Sequence, residues 1–100
     1  MKLIKDLADH IKDEIADAQH YAEDYVEKKV NGETQMASKY KEMASDELKH
    51  ATYLHDYVVE QIKKIENAGV KPPAEMLEKW DIDHRNYIDK VAWVKQMLTL

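Results

Sequence analysis

Apolar residues recur along most of this chain at three- and four-residue spacing, the period of an amphipathic helix. Leu3, Ile4, Leu7, Ala8, Ile11, Ile15, Ala18, Tyr21, Ala22, Tyr25 and Val26 line one face of a helix predicted over about 2–30. Asn31-Gly32 then stops it, because both residues tolerate the left-handed backbone that ends a helix. A second helix is predicted over about 34–67, with Lys63 and Lys64 near its negative end and Gly69 as its stop. Lys71-Pro72-Pro73 forms the next break. Proline cannot continue a helix but starts one well, so a third helix is predicted over about 73–98. Its stripe is Leu77, Trp80, His84, Tyr87, Val91, Val94 and Leu98, while Ile82 and Trp93 project away from it, which hints at a second buried face. No alternation of period two appears, so no strands are expected. The fold class is all-α, one domain over 1–100, with short loops that make consecutive helices antiparallel.

The second helix carries the anomaly that points to chemistry. Tyr40, Met43, Ala44, Ala51, Leu54, Tyr57 and Val58 form its apolar face, yet Glu47 falls near the middle of it and His50 on its edge. A glutamate is seldom buried unless something pairs with it. Reflecting the first helix about Gly32 brings Glu14 to the same level, within a turn of about 5.4 Å. Glu14 also lies on its own apolar face, between Ile11 and Ala18. Two carboxylates and an imidazole are therefore expected to meet in an apolar seam. Such ligands suit iron, manganese or zinc.

A di-metal bundle needs one Glu from each of two helices and Glu-x-x-His from each of the other two. One chain here offers half of that set, so two copies related by a two-fold would complete it. The competing expectation is metal-free. Reflecting the third helix about residues 70–71 brings Lys95 to the level of Glu47, so a monomeric three-helix interaction or scaffold module would bury a Glu47–Lys95 pair. Such a pair stabilises poorly and leaves the other carboxylate and His50 unexplained. His84 is read as a core histidine donating to a backbone group or a tyrosine. His10 and His55, at stripe edges, are read as surface residues, with support of the metal ligands from outside as the alternative.

Composition narrows the classes. The net charge of −5, with no basic stripe, argues against nucleic acid as a partner. The chain has no cysteine, which excludes disulfides, thiolate metal sites and cysteine nucleophiles and fits a cytoplasmic location. The N-terminus lacks the pattern of a signal peptide, and no apolar run approaches the roughly 20 residues that span a bilayer. No membrane partner is expected. Glycine-rich phosphate loops and Ser-His-Asp arrangements are absent.

Glu14 on one helix, followed after a short turn by Asp46-Glu47-Leu48-Lys49-His50 on the next, resembles the half-site of the ferritin-like superfamily. The run Ile15-Ala16-Asp17-Ala18-Gln19-His20-Tyr21-Ala22 and the Glu14–Glu47 separation look closest to rubrerythrin-type proteins. The resemblance covers about residues 3–67. It implies a carboxylate-bridged di-iron site that reacts with oxygen or peroxide, with Glu14 a terminal ligand, Glu47 a bridging one and His50 a nitrogen ligand. Those proteins carry two such helix pairs and this chain carries one. It therefore looks more like the half-bundle, encapsulated type of ferritin, whose four-helix bundle and metal site are completed across a homodimer, inside a larger protein compartment. The implied activity is ferroxidase-like, an oxidation of Fe(II).

Overall fold

The computed structural model describes residues 2–100 and is all-helical. Helix α1 spans Lys2–Val30, α2 Thr34–Asn67 and α3 Ala74–Met97. No strand occurs among the described residues. Both breaks fall where Gly32 and Gly69 take positive φ, at 77° and 75°. At the first, the amide of Glu33 reaches back to the carbonyl of Lys28 and that of Gly32 to Lys29. At the second, Val70 and Gly69 do the same to Ile65 and Glu66. This reciprocal pair satisfies carbonyls that the helix end would otherwise leave free, and its geometry requires the left-handed residue.

The α1–α2 pair is antiparallel. Glu14 meets Glu47 and Tyr21 stacks on Tyr40, so seven residues onward in α1 match seven back in α2. Ile4, Ala8, Ile11, Ile15, Ala18, Ala22 and Tyr25 are buried from α1, and Ala37, Ala44, Leu48, Ala51, Val58 and Ile62 from α2. Many are alanines, which lets the two backbones approach closely and brings functional side chains across the seam within reach of each other. The assembly is a rod of 56 × 19 × 18 Å.

Helix α3 packs along one flank of this hairpin and leaves the other open. On α1 it covers the side bearing Ala8, Ile11, Lys12 and Ile15, opposite Trp80, Asp83, His84 and Tyr87. On α2 it meets Thr52 and His55. The Tyr87 hydroxyl lies 3.0 Å from the Thr52 hydroxyl, and the His55 ring lies 4.6 Å from the Tyr87 ring and 4.8 Å from the His84 ring, nearly parallel to both. Trp80 closes the stack against both imidazoles.

Two expectations are corrected here. His55 is not a surface residue: its side chain is only 18% exposed, with Nδ1 2.9 Å from Asp56 and a buried Nε2 that has no partner. His84 stacks instead of donating to a tyrosine, since the Tyr87 hydroxyl is engaged by Thr52. Ile82 is exposed and Trp93 lies at the surface of α3, so neither is covered by this chain.

Burial and the neighbouring His55 push the His84 pKa below its ordinary 6.5, against a smaller opposing effect of Asp81. A depressed histidine favours the folded state above its ordinary pKa, and that contribution is lost as pH falls below about 6.5. Docking of α3 is therefore expected to weaken between pH 7 and 5. Fluorescence of Trp80, isolated in a Trp93→Phe protein, should shift to the red over that interval. An emission maximum constant with pH would contradict the stacked-imidazole description.

Candidate metal centre

Helix α1 presents Glu14 and α2 presents Glu47 and His50 at one level of the seam. One ligand-capable atom from each lies within 4.8 Å of the others. His50 Nδ1 stands 3.7 Å from Glu14 Oε2 and 3.7 Å from Glu47 Oε2. The Glu14 and Glu47 side chains are 19% and 21% exposed, so both are partly withdrawn from water. The i, i+3 spacing puts His50 beside Glu47 on the outer lip of the seam, where it stays exposed.

The two carboxylates perturb each other. Glu47 is pushed up to about 7, first by a hydrogen bond with Glu14, then by burial and by the Glu14 charge. Glu14 moves the other way, held below its ordinary value chiefly by that bond, with help from His50 and His10. The opposite directions of the two shifts correspond to a single proton for the pair, carried by Glu47 and accepted by Glu14. Two ionised carboxylates cannot hydrogen-bond one another. Glu47 Oε2 is buried and has no hydrogen-bond partner. A buried carboxylate oxygen lacking a donor is costly, and a cation satisfies it as a proton does.

Lys95 does not fill that role. It is exposed and borders a shallow groove with Leu48, Lys49, Thr52 and Asp56. Leu48 and Thr52 project about 100–140° round α2 from Glu47, so α3 reaches the expected height on the wrong flank. The groups acting on Glu47 are Glu14, His50 and Asp17. The buried Glu47–Lys95 pair of the metal-free expectation is not formed.

One contact escaped the sequence reading. His10 is 57% exposed, yet its Nε2 lies 3.2 Å from Glu14 Oε1. The i, i+4 spacing of His10 and Glu14 on one helix is the signal that could have found it. Asp17 and His20, which share the Glu-x-x-His type of spacing, are both exposed.

Around the cluster the hairpin is apolar and uncovered. Met36 and Met43, eleven and four residues before Glu47, lie within about 40° of it round the helix. Both are exposed, as are Leu3 and Tyr57 on the same side, while Leu7, Tyr21, Tyr40 and Leu54 are half-buried. The carboxylate pair thus sits in the middle of an open apolar strip. Among the described residues no helix is long and apolar enough to cross a membrane. Comparison with family models, with curated proteins and with solved structures gives no match.

Glu47 keeps its proton in the folded state between 4.5 and about 7, whereas the unfolded chain ionises from 4.5. Its contribution to stability is thus lost as pH rises through that window. Glu14, with a lowered value, acts below 4.5 and in the opposite direction. Glu47→Gln imitates the protonated side chain at every pH. Relative to it, the metal-free parent should lose stability from pH 4.5 to 7, by at most about 3 kcal/mol at one pKa unit per 1.36 kcal/mol. Denaturant melts of both proteins would measure this, and a difference constant with pH would contradict the shared proton.

Proposed function

We propose that this protein binds iron at a carboxylate-bridged di-iron site shared by two copies of the chain, and that it oxidises Fe(II) in ferroxidase-like fashion. The observation that carries the reading is the convergence of Glu14, Glu47 and His50 within 4.8 Å at the centre of an uncovered apolar face. Structural carboxylates are normally paired with Lys or Arg of the chain. Here two share one site with only histidines beside them, and Glu47 Oε2 has no hydrogen-bond partner.

The donor set suits the group. Two carboxylates and one imidazole fit Fe(II), and also Mn(II) or Zn(II). Three protein ligands per chain are too few for two ions, while a two-fold doubles them to the four carboxylates and two imidazoles of a di-iron bundle. The open strip of Leu3, Met36, Met43 and Tyr57 supports the same pairing, because a second hairpin laid on it would bury apolar surface and enclose the site. The bundle would then comprise α1 and α2 of both copies, with α3 on the outside of each.

Iron held by these residues would supply the electrons that reduce oxygen or peroxide, itself passing from Fe(II) to Fe(III). The chain's own groups divide the remaining work. Glu47 and Glu14 give up their shared proton to make room for cation charge. His50, exposed on the lip, offers a nitrogen ligand that can turn inward. The apolar strip excludes bulk water once covered.

Anaerobic Fe(II) titration combined with sedimentation tests the reading. It should saturate at about one ion per chain, two per dimer. The Glu47→Leu protein should lose binding and Fe(II) oxidation. Its metal-free stability should hold within about 1 kcal/mol or rise, because a costly buried carboxyl has been replaced by apolar volume. Tight binding by a strict monomer would overturn the shared site, and undiminished binding by Glu47→Leu would remove the ligand assignment.

A further inference from the structure

The two oxygens of Glu14 face different partners. Oε2 lies 3.7 Å from His50 Nδ1, while Oε1 lies 3.2 Å from His10 Nε2. A glutamate side chain has three rotatable bonds, and this one is partly exposed on the side of a helix. His10 Nε2 is the hydrogen-bond partner of Oε1. From these contacts we infer that His10 is a positioning residue for the metal centre: it tethers Oε1 of Glu14 so that Oε2 is turned toward Glu47 and His50.

The inference rests on the proposed metal site and deepens it. A carboxylate that binds a metal is usually hydrogen-bonded through its other oxygen, which fixes its orientation and tunes its charge. His10 is well placed for that. It sits one helical turn before Glu14, so the helix itself sets the distance. It is exposed in one chain and lies on the same open face as the cluster, so a second copy docking there would cover it and strengthen the bond by removing water. His10 thus couples formation of the pair of chains to the fixing of a ligand. His10 is not within the mutually close group of Glu14, Glu47 and His50, which separates its role from theirs.

The test uses Co(II), whose absorption reports its ligands, on the full chain with and without substitution. His10→Gln places an amide N–H₂ where Nε2 stands and keeps the bond, whereas His10→Ala removes it. Removing such an outer partner typically weakens metal binding by about 10–100-fold. His10→Ala should therefore bind Co(II) that much more weakly, with the stoichiometry and the band positions of the parent. His10→Gln should recover most of the affinity. Since His10 is exposed, both variants should match the parent in circular dichroism. Parent-like affinity in His10→Ala would overturn the inference and leave the metal site standing. Changed bands in both variants, with no rescue by glutamine, would make His10 itself a ligand and also overturn it. A parent protein that does not bind Co(II), Fe(II), Mn(II) or Zn(II) would remove the metal site, and this inference with it.

Discussion

Two carboxyl groups face one another across a seam otherwise built of alanine and aliphatic side chains, and much of what is specific to this molecule follows from that confrontation. Like charges in a partly dry seam repel, so one proton is retained and Glu47 is pushed up to about 7. Such a pair contributes little to folding. Leucine at either place would pack better, and the alanine-rich hairpin has ample apolar area without it. The proposed metal centre gives this otherwise poorly stabilising pair a role. The short loops and the two left-handed glycines matter because they fix the register that brings Glu14 level with Glu47.

The position of α3 completes the logic. It binds the hairpin through a stack of His55, His84, Trp80 and Tyr87, and through aliphatic contacts on α1, all on the flank away from the glutamates. A third helix on the other flank would have covered the carboxylates and brought Lys95 to them. Instead it leaves them in the centre of an exposed strip that includes Met36, Met43 and Tyr57. An apolar strip of this kind on a thin rod favours association, and methionine adapts readily to a new neighbour. On the proposed function, a second copy of the same hairpin is the partner that completes the ligand set.

Helical periodicity made the three helices legible, and the glycine and proline breaks placed their ends within about one residue of those observed. The level of Glu14 against Glu47 was also legible, because an antiparallel hairpin with a short turn leaves almost no freedom in height. Azimuth was less so. Glu47 looked central on its face, but Leu48 is the buried residue and Glu47 lies at the edge of the seam. Wide apolar faces on both helices concealed which flank α3 would take, and the Lys95 pairing failed for that reason. The His55 stack escaped because a histidine at a stripe edge looks like a surface residue until a neighbour's aromatic rings are known. His10, at a stripe edge, left a supporting and a surface role both open, and its i, i+4 spacing to Glu14 is too common in helices to choose between them.

The central claim is that metal sits between two chains on the carboxylate pair. Crystals grown with Co(II) or Fe(II), measured at wavelengths either side of the metal absorption edge, test it most directly. The expected anomalous map has two peaks at a two-fold axis, each beside Glu14, Glu47 and His50 donors drawn from both copies. Peaks only on surface carboxylates of a single copy, with Glu14 and Glu47 still sharing their proton in a metal-free seam, would contradict it.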